Sequence, residues 1–138
     1  VLILASEQAV KKHNLKPIAK MVSWASAAVD PSIMGIGPVP STKKALNKAK
    51  MNINELDLVE LNEAFAAQVL AVNKELEIDP SIINVNGGAV ALGHPVGCSG
   101  ARIIVTLLHE LQKRQKSFGL ASLCVGGGQG VSVIVESL

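Results

Sequence analysis

Three stretches of this sequence carry side chains suited to acid–base or acyl chemistry. One, Asn86 to Gly100 (NGGAVALGHPVGCSG), sets a single histidine, His94, between Gly93 and Pro95. Its glycines permit positive φ and close backbone approach, and Pro95 restrains His94 toward an extended conformation. An imidazole held this way suits proton transfer near neutrality, although a lone loop histidine is often structural or merely exposed. A second stretch, Cys124-Val125-Gly126-Gly127-Gly128-Gln129-Gly130, ends an apolar run with a thiol and follows it with unhindered backbone N–H groups. That is the make-up of a reactive thiol beside an oxyanion site, or equally of a small buried hydrophobe beside a hairpin. The third, Asn62-Glu63-Ala64-Phe65-Ala66-Ala67-Gln68, places Asn62 where a predicted strand gives way to a helix. Function gathers at that end of strands in α/β proteins, and an amide there can hold a substrate oxygen or a water; the plain alternative is a helix cap.

The elements that position these groups follow from apolar spacing and from chain breakers. Val1–Ala5 reads as an apolar strand with no turn before it, as expected for a stretch of something longer. Ser6 caps a helix to about Asn14, and Met21–Trp24 reads as a strand. Asp30-Pro31 opens a loop through Gly35, Gly37, Pro38 and Pro40, after which Ser41 is expected to cap a helix with Ala45, Leu46 and Ala49 on one face. Asn54 is expected to cap a turn before a strand over Leu56–Leu61, followed by a helix from about Glu63 to Leu76. Ile82–Asn86 reads as a short strand and 89–97 as irregular. A long helix from Ser99 or Gly100 to about Lys113 is apolar almost all round its first turns, which predicts burial between layers. Residues 119–125 and 130–135 form a hairpin with a glycine-rich tip. Alternating strands and helices ending in a hairpin predict an α/β fold, a mixed sheet with helices on both faces.

Composition narrows the function classes. The 138 residues are 49% hydrophobic and 17% charged, the make-up of one globular domain, and aromatics at 2% leave the core to Val, Ile, Leu and Ala. A net charge of +2 without aromatic-interleaved basic clusters gives no footprint for nucleic acid. No apolar stretch reaches the ~18 residues of a membrane span. Two cysteines, Cys98 and Cys124, make no secreted disulfide framework, so a reducing, cytoplasmic setting is the default expectation. His13 and His109 form no metal-ligand spacing, and no metal site is expected. The run Gly35-Ile36-Gly37-Pro38-Val39-Pro40 mimics part of a dinucleotide fingerprint but ends in proline, and there is no P-loop.

Taken together, and in this order and separation, Asn-Glu-Ala-Phe, Gly-His-Pro and Cys-x-Gly-Gly-Gly closely resemble the C-terminal signature set of the thiolases. Met34-Gly35-Ile36-Gly37-Pro38 resembles the loop that precedes these blocks, and the resemblance covers the whole chain. The wording is most similar to the bacterial acetyl-CoA acetyltransferase branch. That implies a reversible Claisen condensation of two acetyl-CoA to acetoacetyl-CoA plus CoA, with the CoA thioester as substrate and no cofactor.

The same resemblance implies individual roles. His94 activates a nucleophilic cysteine and helps bind the thioester oxygen. Cys124 is the acid/base thiol at the α-carbon. Asn62 orients a water that shares an oxyanion hole with His94, and the Gly126 amide belongs to a second hole. Phe65 and Met34 line the acyl pocket. It also implies the C-terminal half of a five-layer αβαβα sandwich, with residues 1–17 the tail of the preceding half and 18–138 the C-terminal domain. A homo-oligomer is implied as well.

Two features depart from the family pattern. The nucleophilic cysteine has no counterpart, Cys98 being read as packing, and the CoA-binding loop region is missing. The chain alone is therefore expected to be inactive and, with one face of the long helix uncovered, to associate. Ketoacyl synthases share the fold but lack the second catalytic cysteine. A longer-chain 3-ketoacyl-CoA thiolase and a non-catalytic thiolase-like binding protein are the remaining alternatives.

Overall fold

The computed structural model describes residues 1–138 as a four-stranded sheet in the order β1-β4-β3-β2, with helices on both faces. The strands are β1 (Ala19–Ala28), β2 (Leu58–Leu61), β3 (Phe118–Val125) and β4 (Gln129–Ser137). β4 lies antiparallel to both β1 and β3, whereas β2 pairs with β3 in parallel, so the sheet is mixed as expected. The helices are α1 (Glu7–His13), α2 (Pro38–Ala49), α3 (Ala66–Leu76), α4 (Ala89–Leu92) and α5 (Ser99–Arg114). No helix is long and apolar enough to cross a membrane.

Two apolar clusters flank the sheet, and the alternation of β2 and β3 explains both. Val59, Leu61 and Leu120 point to one face, against Ala45 and Leu46 of α2 and Val72 and Leu76 of α3. Leu58 and Ala121 point to the other, against Ile103, Leu107 and Leu111 of α5. β2 is covered on both faces and buried throughout, so it reads as a continuous apolar run broken by one acid, Glu60. Gly119 lets α5 come close, since a Cβ there would meet the Leu107 side chain at 2.8 Å. On the opposite face, Ser41 and Thr42 of α2 reach Ser132 at 2.7 and 3.0 Å, and Ser122 reaches it at 2.8 Å. These buried hydroxyls partner one another, which removes the cost of placing polar groups under a helix. The free edge of β1 is covered too, by Lys44 donating to Ser26 O and Lys48 to Trp24 O.

Several local expectations need correction. Val1–Ala5 is not a strand: no partner strand lies beside it, and Ile3 and Leu4 are exposed. Ser6 does cap α1, accepting from Ala9 N at 3.2 Å. The stretch after Asp30 is a 3-10 helix over Pro31–Ile36, and α2 then starts at Pro38, so Ser41 lies inside it and is not its cap. Prolines fit a first turn because the N–H they lack would have no intrahelical partner there. Asn52, not Asn54, caps the turn before β2, in a reciprocal capping box with Glu55. α3 begins at Ala66, three residues later than expected, with Phe65 at the cap position.

Ile82–Asn86 is not a strand; only Ile83 bridges to Val59. Asn84 takes φ +46°, and its side-chain amide replaces the backbone ladder, with Oδ1 accepting from Leu61 N at 2.9 Å and Nδ2 donating to Leu61 O at 2.8 Å. α5 is not enclosed all round: Ile103, Leu107 and Leu111 are buried, while Arg102, Ile104 and Val105 on other sides are only partly covered.

Candidate active site

β1, β2 and β3 all run in one direction, so their C-terminal ends share one edge of the sheet, joined there by the tip of the β3–β4 hairpin. The sequence candidates map to this edge. Asn62 directly follows β2. Its N–H donates to Ser122 O at 2.9 Å, which prolongs the parallel pairing by one residue, and the residue is 1% exposed. It is not a helix cap; that position belongs to Phe65. With Leu61 opposite Ser122, Cys124 leaves the neighbouring strand on the same edge.

The Asn62 side chain points Nδ2 at His94 Nε2, 3.5 Å away, and leaves Oδ1 buried with no protein partner. Such an acceptor is costly unless something donates to it. His94 sits on the exposed loop between α4 and α5, where Gly93 takes φ +98°. Its other ring nitrogen, Nδ1, lies 2.6 Å from Ser99 Oγ at the start of α5. The loop is anchored by Pro95 O, which accepts from the N–H groups of Cys98 and Ser99.

Glu63 fastens this loop from the other side. Its Oε1 accepts from Asn84 Nδ2 at 3.0 Å and its Oε2 from Val90 N at 2.8 Å, in the first turn of α4. A Cβ at Gly88 would overlap that carboxylate, so the glycine is required for the contact. Sequence reasoning gave no role to Glu63, Asn84 or Ser99. The available signal was a carboxylate beside Asn62 and a Gly87-Gly88 pair with space to receive it.

Cys124 is buried and unpaired, and burial pushes its thiol above the ordinary range, so it is neutral at neutral pH. It stands opposite Gly130 at the base of the glycine turn. Gly126 in that turn is exposed and its N–H makes no backbone hydrogen bond. Met34, in the 3-10 helix after β1, and Phe65, after β2, line one open apolar groove of about 420 Å³ with Ile33 and Gln68. Cys98 is exposed at the cap position of α5. The packing role read for it is not seen in this chain, because its loop faces outward.

Just behind the site, Glu60 and Arg102 form a buried pair, Nη1 to Oε2 at 3.2 Å. Burial outweighs the guanidinium and pushes the Glu60 carboxyl up to about 7. The edge thus holds an imidazole, an amide, a neutral thiol and a free turn N–H. This is a set for moving protons and stabilising an oxyanion.

Comparison with known proteins gives the family and the fold. The family model for the thiolase C-terminal domain matches residues 15–137. The chain is 56% identical over 136 residues to acetyl-CoA acetyltransferase of Shinella zoogloeoides, covering 99% of this chain and 35% of that protein. It superposes on the crystal structure of the Bacillus anthracis acetyl-CoA acetyltransferase with a TM-score of 0.94 at 54% identity, over 96% of this chain and 34% of that one. The human mitochondrial 3-ketoacyl-CoA thiolase in complex with CoA matches with a TM-score of 0.95 at 55% identity, over 97% and 34%. The protein is therefore an α/β chain of the thiolase family, corresponding to the C-terminal domain. It spans about a third of the length of the curated relatives it matches.

Proposed function

We propose that this chain is the C-terminal catalytic domain of an acyltransferase that joins two acetyl-CoA into acetoacetyl-CoA and CoA, reversibly. The observation that carries the reading is the Asn62–His94 couple at the end of β2, with Cys124 on the adjacent parallel strand at the same edge. His94 Nε2 takes the proton of a nucleophilic cysteine supplied by an N-terminal thiolase half. Asn62 Oδ1 holds a water that, with His94, faces the thioester oxygen. Cys124 is neutral at rest; after its proton passes to the neutral His94 imidazole, its thiolate removes the α-proton of acetyl-CoA. The Gly126 N–H stabilises the oxyanion of the acyl-enzyme. Met34 and Phe65 hold the acyl chain.

The N-terminal half also covers apolar residues left outside here, among them Leu70, Val90, Leu92 and Val96. The domain boundary lies near residue 17, and the complete enzyme is a cytoplasmic homo-oligomer of lipid metabolism that binds CoA without a separate cofactor.

The test is cleavage of acetoacetyl-CoA with free CoA, by this chain and by the complete protein joined to its N-terminal half, alongside longer 3-oxoacyl-CoA substrates. The expected result is activity in the complete protein only, highest on acetoacetyl-CoA. Preference for longer chains would reassign the substrate. A complete protein inactive on every 3-oxoacyl-CoA would contradict the enzymatic reading.

A further inference from the structure

The chemistry open to His94 depends on which ring nitrogen carries its proton, and the groups around it bear on that choice. Ser99 Oγ is 2.6 Å from Nδ1 and 3.1 Å from Pro95 O. Ser99 is 1% exposed, so its single hydroxyl hydrogen has these two destinations within the chain. A carbonyl oxygen can only accept. With the hydroxyl donated to Pro95 O, the Ser99 oxygen is left to accept from an Nδ1–H. On the opposite side of the ring, Asn62 Nδ2 faces Nε2 at 3.5 Å, and an amide N–H can only donate. The Asn62 contact selects one form, and the Ser99–Pro95 bond fits it: hydrogen on Nδ1, lone pair on Nε2. The other tautomer would set donor against donor at Nε2 unless the Asn62 amide turned over.

We propose that Ser99 is a positioning residue that holds His94 as the Nδ1–H tautomer, leaving Nε2 as its only working nitrogen. This rests on the thiolase reading. The nucleophilic thiol passes its proton to Nε2 as its sulfur bonds the thioester carbon, and the imidazolium returns that proton to the departing CoA sulfur. The Nδ1–H stays on Ser99 throughout.

The test uses the complete enzyme with ¹⁵N-labelled histidine, the His94 signal being assigned by its loss in His94→Gln. Without substrate, and at a pH where the ring is neutral, wild type should show Nδ1 protonated and Nε2 bare. Ser99→Ala should give mixed tautomers. Its kcat for acetoacetyl-CoA cleavage should fall roughly tenfold or more with KM little changed, since an acid–base term and not binding is lost. Ser99→Thr, which keeps the hydroxyl, should restore the single tautomer and most of kcat.

A neutral wild-type ring protonated on Nε2 would overturn the proposal, as would Ser99→Ala with one tautomer and unchanged kcat. The wild-type spectrum depends on no variant folding. Because it is read without turnover, it stands or falls separately from the thiolase reading, which wild-type inactivity on 3-oxoacyl-CoA would strike.

Discussion

Replacing Gly130 by alanine should loosen the edge that carries Cys124. Gly130 stands opposite Cys124 in the hairpin, and its backbone touches that of Gly37 at the start of α2. A methyl on Gly130 would overlap the Gly37 carbonyl and lie 2.7 Å from Pro38 N, where an ordinary contact is about 3.5 Å. Neither neighbour is a side chain that can swing away. Either the hairpin or the first turn of α2, with Pro38 and Val39 buried, must shift by about an ångström. Overpacking of this kind costs about 1–3 kcal/mol, and a backbone clash belongs at the upper end or beyond it. Urea unfolding should show the midpoint lowered by about 1 M or more. Gly126→Ala is the control, because a Cβ there meets nothing within 4 Å; its midpoint should change by less than the equivalent of about 0.5 kcal/mol. Equal shifts for the two variants would refute the close-approach argument.

Two further outcomes follow from the titrating groups. Folding raises the Glu60 carboxyl from 4.5 to about 7, burial outweighing Arg102. Its contribution to stability is therefore complete below about pH 4.5 and lost as pH rises through about 7, a span worth roughly 3 kcal/mol. Glu60→Gln should flatten the stability–pH curve across that window, and an unchanged curve would show that Glu60 is not its source. For Cys124, whose thiol is raised by burial, alkylation by iodoacetamide should be slow at neutral pH and still climbing where an ordinary thiol has levelled off. A rate already at its plateau near pH 7 would mean a thiolate at rest and contradict a neutral Cys124.

The sheet and the edge that carries the candidate site were largely legible because long apolar runs and glycine turns are local signals. The β3–β4 hairpin and α5 fell close to their expected bounds for that reason. Pro38-Val39-Pro40 misled because proline breaks a helix interior yet fits its first turn. Ile82–Asn86 misled because Asn84 supplies with its side chain the hydrogen bonds a strand would supply with its backbone. Asn62, His94 and Cys124 stood out through their side-chain chemistry. Glu63, Asn84 and Ser99 did not, since a positioning role exists only in contacts made after folding, such as Glu63 to Val90. Glu60 carried no signal in the sequence, since its pairing with Arg102 exists only once α5 lies over β2.

The most direct measurement separates the two halves of the proposed reaction in the complete enzyme carrying Cys124→Ala. One assay follows exchange of labelled CoA into acetyl-CoA, which needs only acyl transfer to the nucleophilic cysteine and back. The other follows acetoacetyl-CoA formation, which also needs the α-proton removed. If Cys124 is the thiol at the α-carbon, CoA exchange should persist while condensation falls by about 10²–10⁴-fold, the usual worth of a positioned acid or base. Loss of both steps alike, or of neither, would contradict that assignment.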